Sequence, residues 1–211
     1  MKNKLKKIPA PIVMLCYLTA IVLWFLSSAY GLVVDIAAKS SGRLFEQQLS
    51  VADFELVNMH ELETGSYISE NDDPQMIWYN ADGRTIRTLR MEAEFDRSPR
   101  EMCLYYTTRQ DEPFSVNKRV FASQQNDGSY LYTLPQGKIA ALRLDPCSPL
   151  TDKPVTMAFS EFTMNQPAGV VSYFAPGWYG MFQLVVYPGL CAAALSLLRG
   201  VLVYYKENKK R

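Results

Sequence analysis

Residues 137–149 read GKIAALRLDPCSP, and their pattern decides the fold class of the central part of the chain. The side chains alternate between two faces, with Leu142 and Leu144 on one face and Arg143 and Asp145 on the other. A period of two is typical of a half-buried β-strand. The strand is predicted to end at Asp145-Pro146, because a carboxylate caps a turn and proline cannot extend a ladder.

The rest of the central segment repeats this pattern in short pieces. The stretch TIRTLRMEAEF, residues 85–95, places Leu89 and Met91 on one face and charged residues on the other. Turn sequences such as NADG, SPR and NDG separate about eight strands of this kind. We therefore predict a mainly β domain, an antiparallel β-sandwich of the jelly-roll type, with the leucines and Met91 in its core.

Two long apolar runs flank this domain. No charged residue occurs from Ile8 to Val34 or from Pro167 to Leu198, and each run exceeds the roughly 20 apolar residues that cross a bilayer. The sequence therefore predicts three parts. Residues 1–34 form a basic tail and a first transmembrane helix, residues 35–168 a β-sandwich with a short stalk, and residues 169–211 a second transmembrane helix and a basic tail.

Basic residues outside the two runs predict the orientation in the membrane. The flanking cations are Lys2, Lys4, Lys6, Lys7, Lys206, Lys209, Lys210 and Arg211. Short basic flanks stay in the cytoplasm, so both termini are expected inside and the β-sandwich outside.

Two alternatives for the apolar runs remain open. The first run could be a signal peptide cleaved near Ser27-Ser28-Ala29, but it is long for that role, which favours an uncleaved anchor. The second run could be a re-entrant pair broken at Pro188-Gly189, but its length favours one kinked helix.

Composition and motifs argue against several classes of function. The net charge of +1 gives no basic field for nucleic acid. His60 is the one histidine, and the sequence has no G-x-S-x-G, Walker, H-E-x-x-H or C-x-x-C motif. We therefore predict a protein that is not an enzyme and has no metal site of histidine or cysteine ligands.

The order of short motifs resembles a known class of envelope proteins. The segments DDPQMIWYN, MCLYYTT, GSYLYTLP, ALRLDPCSP and VTMAFSEFTM follow one another through the central segment. They resemble a carbohydrate-binding-like jelly-roll module of bacterial cell envelopes, which accompanies polysaccharide and teichoic-acid glycosyltransferases or occurs in small accessory membrane proteins. Asp73-Pro74-Gln75 and the strand that ends in Arg143-Leu144-Asp145-Pro146 carry most of this resemblance.

The resemblance implies a place in envelope glycan assembly. We expect a non-catalytic accessory subunit in the bacterial cytoplasmic membrane that docks on a multi-pass glycosyltransferase or transporter and on its glycan. One alternative is an envelope ligand sensor, which the short predicted tails disfavour. The other is a small membrane-bound glycan-modifying enzyme.

Six residues are candidates for a ligand or partner surface: Asp72, Asp73, Trp78, Tyr105, Arg143 and Asp145. Exposed aromatic rings stack on sugar faces, which points to Trp78 or Tyr105. The alternative for Arg143 and Asp145 is a pair that orders the strand end. Asp72, Asp73 and Asp145, from separate loops, could instead converge on Ca²⁺, although turn capping is the simpler role.

Cysteines and small residues supply the last candidates. Cys103 and Cys147 lie in the part predicted to be outside, where a disulfide can persist. A bridge would close a loop of about 45 residues and stabilise the domain by roughly 4 kcal/mol, but the sequence leaves its existence open.

In the second run Gly189, Ala193 and Ser196 share one helix face, which suits close docking of a partner helix, unless they are ordinary span residues.

Overall fold

The computed structural model describes residues 10–150 and 152–209 and divides the chain into two compact units. One unit comprises Met1–Val34 and Ala168–Arg211, and the other is Asp35–Pro167. Six of the basic residues that predict the orientation lie outside the described residues: Lys2, Lys4, Lys6, Lys7, Lys210 and Arg211.

Among the residues that the structure describes, the first unit contains most of one long helix, one short helix and a second long helix. They are α1 (Ala10–Ser40), α2 (Val170–Tyr173) and α3 (Trp178–Asn208). The candidate spans Ala10–Ser40 and Val170–Lys206 have mean hydropathies of 2.2 and 1.8, consistent with a two-pass membrane protein. α3 continues through Pro188 as one helix, and α1 extends beyond Val34 to Ser40, where a stalk was expected.

The second unit contains twelve strands among the residues that the structure describes. They are β1 (Gln47–Leu49), β2 (Glu55–Val57), β3 (Met59–Glu61), β4 (Tyr67–Ser69), β5 (Gln75–Tyr79), β6 (Thr88–Phe95), β7 (Cys103–Thr107), β8 (Arg119–Phe121), β9 (Ser123–Gln124), β10 (Tyr130–Thr133), β11 (Ala141–Asp145) and β12 (Thr156–Met164). Short 3₁₀ turns precede β2 and β8.

These strands form two antiparallel sheets, which confirms the predicted β-sandwich. The seven-stranded sheet has the order β3-β4-β12-β6-β10-β9, and β1 also pairs with β12. The five-stranded sheet has the order β2-β5-β11-β7-β8, with β11 at its centre. The stretch that opened the sequence analysis is therefore the middle strand of the smaller sheet.

The core lies between the two sheets. Leu142 and Leu144 of β11 are buried there, as are Leu89 and Met91 of β6, which confirms the predicted inward faces. A ring cluster adds to this core, with the centroids of Phe54 and Phe162 5.0 Å apart.

The expectation that β11 is half exposed is wrong. Ala141 and Asp145 on its other face are also buried, and Arg143 is the one β11 residue that is partly exposed. β11 lies between β5 and β7 in the sheet. In addition, the two ends of its outer face, at Ala141 and Asp145, are covered.

Candidate functional site

The outer face of the five-stranded sheet brings most of the predicted site residues together. Arg143 on β11 pairs with Ile77 of β5 on one side and with Tyr105 of β7 on the other. Residues paired directly across a sheet project from the same face. Because Leu142 and Leu144 point into the core, Arg143, Ile77 and Tyr105 project outward.

Arg143 binds two carboxylates from different parts of the chain. Its Nε donates to Asp145 Oδ1 at 2.8 Å, and its Nη2 donates to Asp145 Oδ2 at 2.8 Å and to Asp73 Oδ1 at 2.9 Å. The contact with Asp145 is bidentate, the geometry in which a guanidinium binds a carboxylate most strongly. Asp73 and Asp145 therefore converge, as predicted for two of the three aspartates, but on a guanidinium.

Neighbouring polar groups fix Asp73 in place. Gln75 Nε2 donates to Asp73 Oδ2 at 2.5 Å, and Asn58 Nδ2 donates to the Asp73 carbonyl at 2.9 Å. The Asp73 N–H in turn donates to the Asn71 side chain at 2.8 Å. These hydrogen bonds orient the turn before β5 so that Asp73 presents one carboxylate oxygen to Arg143.

The electrostatics of the cluster follow from burial and pairing. Burial raises the pKa of Asp145 above its ordinary value, and the hydrogen bonds from Arg143 oppose that rise. The same hydrogen bonds raise the pKa of Arg143. The guanidinium therefore remains charged and holds Asp145 in one orientation.

Aromatic rings lie on both sides of this charged cluster. The Arg143 guanidinium lies over the Tyr105 ring, 4.8 Å from its centroid, a cation–π contact. Tyr79 of β5 also projects outward and is 58% exposed. At the edge of the sheet, the Arg119 guanidinium lies 4.8 Å from the centroid of the exposed Phe121 ring.

Trp78 requires a correction. It pairs with Leu142 on the inner face of the sheet and is only 8% exposed, so it belongs to the core and is not available as a sugar contact. Its neighbour Tyr79 takes the outer position, because successive side chains on a strand point to opposite faces. The choice between Trp78 and Tyr79 depends on the strand register, which the sequence of β5 alone did not give.

Asp72 does not join the cluster. It is exposed in the turn before β5 and makes no hydrogen bond or ion pair with any residue that the structure describes. Within residues 10–150 and 152–209, no group of three or more acidic, histidine or cysteine side chains is arranged to hold a metal. Three of the four carboxylate oxygens of Asp73 and Asp145 accept hydrogen bonds from Arg143. These oxygens therefore already bind a cation, the guanidinium, in the position suggested for Ca²⁺.

The suggested disulfide does not form in the structure. Cys103 and Cys147 are both free and buried. Cys103 pairs with Asp145 on the outer side of the five-stranded sheet, whereas Cys147 Sγ lies 3.6 Å from Met157 Sδ in the core. The two sulfur atoms are therefore on different sides of the sheet. Burial raises the pKa of each thiol, to about 12 for Cys147.

The small residues of α3 meet the chain's own first helix at one position. A Cβ added at Gly189 would lie 3.4 Å from the Tyr17 hydroxyl, which donates to the Val185 carbonyl at 2.9 Å. Ala193 is half-buried, and Ser196 Oγ donates to the Ala192 carbonyl of its own helix at 2.7 Å. Part of the face predicted to bind a partner helix is therefore occupied by α1.

The site also contains residues that the sequence analysis did not single out. Tyr79, Gln75 and Asn58 complete the outer face and the turn beside it. The alternation of β5 was a usable signal for Tyr79 once Trp78 was assigned inward. Asn58 has a φ of 58° and reaches Asp73 from a distant turn, and no local pattern indicates such a contact.

Comparison with known proteins gives distant similarities in solved structures. No protein-family model and no curated protein sequence matches the chain. A low-affinity xylan-binding module, CBM86, from Roseburia intestinalis is 14% identical, with a TM-score of 0.40, over 60% of this chain and 98% of that one.

Two further structures are similar over 59% of this chain. A family two carbohydrate esterase from Cellvibrio japonicus is 10% identical, with a TM-score of 0.34, over 36% of its length. CsCBM6-3 from Clostridium stercorarium, solved with cellobiose, is 9% identical, with a TM-score of 0.31, over 95% of its length. Values this low carry no conclusion about function.

Proposed function

We propose that the chain is a non-catalytic, two-pass membrane protein that presents a glycan-binding β-sandwich on the outer side of the bacterial cytoplasmic membrane. Its role is that of an accessory subunit in envelope polysaccharide or teichoic-acid assembly, with a multi-pass glycosyltransferase or transporter as partner. The observation that carries the proposal is the outer face of the five-stranded sheet, where Tyr79 and Tyr105 lie on either side of the Arg143 cluster.

The chemistry of this face suits a polyhydroxylated chain. Tyrosine rings offer flat apolar surfaces for the apolar faces of sugar rings, together with a hydroxyl for hydrogen bonding. The cluster of Arg143, Asp73 and Asp145 adds donors and acceptors held in fixed orientations. A few fixed polar groups among apolar surface are what give a small-molecule site its specificity.

The same cluster supports a binding role in preference to catalysis. Both carboxylates are bound to one guanidinium, so Arg143 already occupies both oxygens of Asp145 and one oxygen of Asp73. The sequence supplies no nucleophile motif beside them. The proposal therefore expects recognition of a glycan without turnover.

The test measures retention of the full-length protein, purified in detergent, on beads that carry teichoic acid or envelope polysaccharide. Tyr79→Ala and Tyr105→Ala are each expected to weaken binding about fivefold to tenfold, the effect of losing a ring contact worth roughly 1–1.5 kcal/mol. Phe45→Ala is the matched control, because Phe45 is also an exposed ring but lies under Arg84 away from this face.

The same incubations report on turnover through sugars released into the supernatant. The accessory role expects none. Equal retention of the tyrosine variants and the wild type, or retention of none of them, would contradict the glycan-binding surface. Release of sugar by the purified chain would instead favour the enzyme alternative.

A further inference from the structure

A second site lies at one end of the sandwich, separate from the Arg143 cluster. It is a cavity of about 330 Å³ between the loops at residues 80–83, 108–111 and 138–140. This volume is at the lower end of the range for small-molecule pockets. The cavity therefore suits a ligand the size of one sugar or one small polyol with a substituent.

The walls of the cavity are held in place by buried and partly buried hydrogen bonds. Asn80 is buried, and its Nδ2 donates to the carbonyls of Arg84 and Ile139, each at 2.7 Å. Its Oδ1 accepts from the Arg84 N–H at 2.9 Å. On the other side, Glu112 accepts from the Thr108 N–H at 2.9 Å. Two of the three loops are therefore fixed before any ligand arrives.

Four polar side chains that line the cavity have no partner of their own. The side chains of Arg109, Gln110, Asp111 and Lys138 make no hydrogen bond or ion pair with any residue in the described part of the chain. They differ in this from Arg143, Arg90 and Arg87, each of which is bound to a carboxylate. Uncommitted charges around a preformed cavity are available to a ligand.

The combination of charges indicates the class of ligand. Arg109 and Lys138 provide two cations, and a guanidinium and an ammonium are the side chains that bind phosphate oxygens. Asp111 and Gln110 accept hydrogen bonds, which a hydroxyl can donate and a bare phosphate dianion cannot. The set therefore matches a phosphate ester that carries hydroxyl groups beside the phosphate.

The cavity and the last residues of Asp35–Pro167 lie at the same end of the sandwich. Arg84, bound by Asn80, is followed by Thr85, whose carbonyl accepts from Asn165 Nδ2 at 2.8 Å. Asn165 is two residues before Pro167, where this unit ends. Two sources share the chemistry of a phosphate ester with hydroxyl groups, namely a lipid headgroup and a free phosphate ester in solution.

We propose that this cavity binds the phosphate ester of a small polyol or sugar, with Arg109 and Lys138 on the phosphate and Asp111 and Gln110 on the hydroxyls. The proposal concerns a site distinct from the tyrosine face and does not depend on the glycan-binding function. Tyr105→Ala should therefore leave it unchanged, so that failure of one proposal can be distinguished from failure of the other.

The experiment titrates glycerol phosphate into the full-length protein in phosphatidylcholine nanodiscs and follows binding by calorimetry. Arg109→Ala and Lys138→Ala are each expected to weaken binding about tenfold, the usual effect of losing one charge-assisted hydrogen bond. Lys153→Ala is the matched control, because Lys153 is an exposed lysine outside the cavity. The thermal melt of each variant checks that it is folded.

A second titration, in nanodiscs that also contain phosphatidylglycerol, distinguishes the two sources. If lipid headgroups enter the cavity, the lipid competes and lowers the apparent affinity for glycerol phosphate. If the two titrations coincide, the ligand comes from solution. The proposal is overturned if no saturable binding occurs up to about 10 mM, if unphosphorylated glycerol binds equally well, or if Lys153→Ala weakens binding as much as the cavity variants.

Discussion

At the scale of single residues, Leu144 and Arg143 are neighbours on β11 with opposite roles. Leu144 is fully buried between the sheets, where its side chain contributes roughly 1.5–3 kcal/mol by burial. Arg143 stabilises the domain by donating hydrogen bonds to Asp145, which is itself buried. Removing Arg143 would leave that carboxylate without its cation, and breaking a buried pair costs more than the loss of an exposed one.

Leu144→Ala is expected to lower the free energy of unfolding of Asp35–Pro167 by about 2–5 kcal/mol, because the cavity it creates lies in a packed core. Leu150→Ala is the control: the same atoms are removed from a side chain that is 47% exposed, and the cost should stay below about 1 kcal/mol. Urea unfolding measures both. Similar losses for the two variants would mean that β11 does not face the core in this register.

The sequence predicted burial better than it predicted contacts. Leu142 and Leu144 could be placed because alternation along one strand fixes which residues share a face. Trp78 could not, because its direction depends on how β5 pairs with β11. The same limit applies to Cys103 and Cys147, whose positions on different sides of the sheet depend on tertiary structure.

At the scale of elements, alternation along the chain predicted the class of the domain but not the full set of strands. The long alternating strands β6 and β12 carry clear patterns. Strands of two or three residues, such as β3 and β9, are too short to show a period, and they form because a neighbour offers backbone hydrogen bonds. The cavity could not be predicted from the local sequence either, because tertiary structure brings its three loops together.

The carboxylate of Glu112 connects the two ends of the loop between β7 and β8 through hydrogen bonds. Glu112 accepts from the N–H and the hydroxyl of Thr108, at 2.9 Å and 3.0 Å, and from Lys118 Nζ. The hydrogen bond from Lys118, together with those from Thr108, lowers the pKa of Glu112 from 4.5 to about 2. The loop that lines the cavity is therefore stabilised by an ionised side chain.

This lowered pKa predicts how stability depends on pH. The stabilisation from Glu112 is complete above its ordinary pKa of 4.5 and is lost as the pH falls towards 2, where the folded protein takes up the proton. The stability difference between wild type and Glu112→Gln should therefore shrink over that range when unfolding is followed in urea. A difference that stays constant from neutral pH down to pH 2 would contradict this role for Glu112.

At the scale of the whole molecule, both ends of Asp35–Pro167 lie at the same end of the sandwich. Asp35 Oδ1 accepts from Arg87 Nε at 2.7 Å, and both side chains are largely buried. The Arg87 N–H donates to Asn165 Oδ1 at 2.7 Å. One arginine therefore connects the residue that enters the sandwich from α1 with the residue that leads out of it.

A two-pass topology with both ends inside predicts different labelling of two introduced cysteines in intact cells. Asn126→Cys lies in an exposed turn between β9 and β10 and should react with a membrane-impermeant maleimide. Asn208→Cys, at the end of α3, should react only after the membrane is opened, because a basic flank is expected to keep that end in the cytoplasm. The wild-type chain is the control for the four native cysteines, of which Cys103 and Cys147 are 4% or less exposed and Cys16 and Cys191 lie within the two candidate spans. Labelling of Asn208→Cys in intact cells, or protection of Asn126→Cys, would show that the sandwich is not outside with both ends inside.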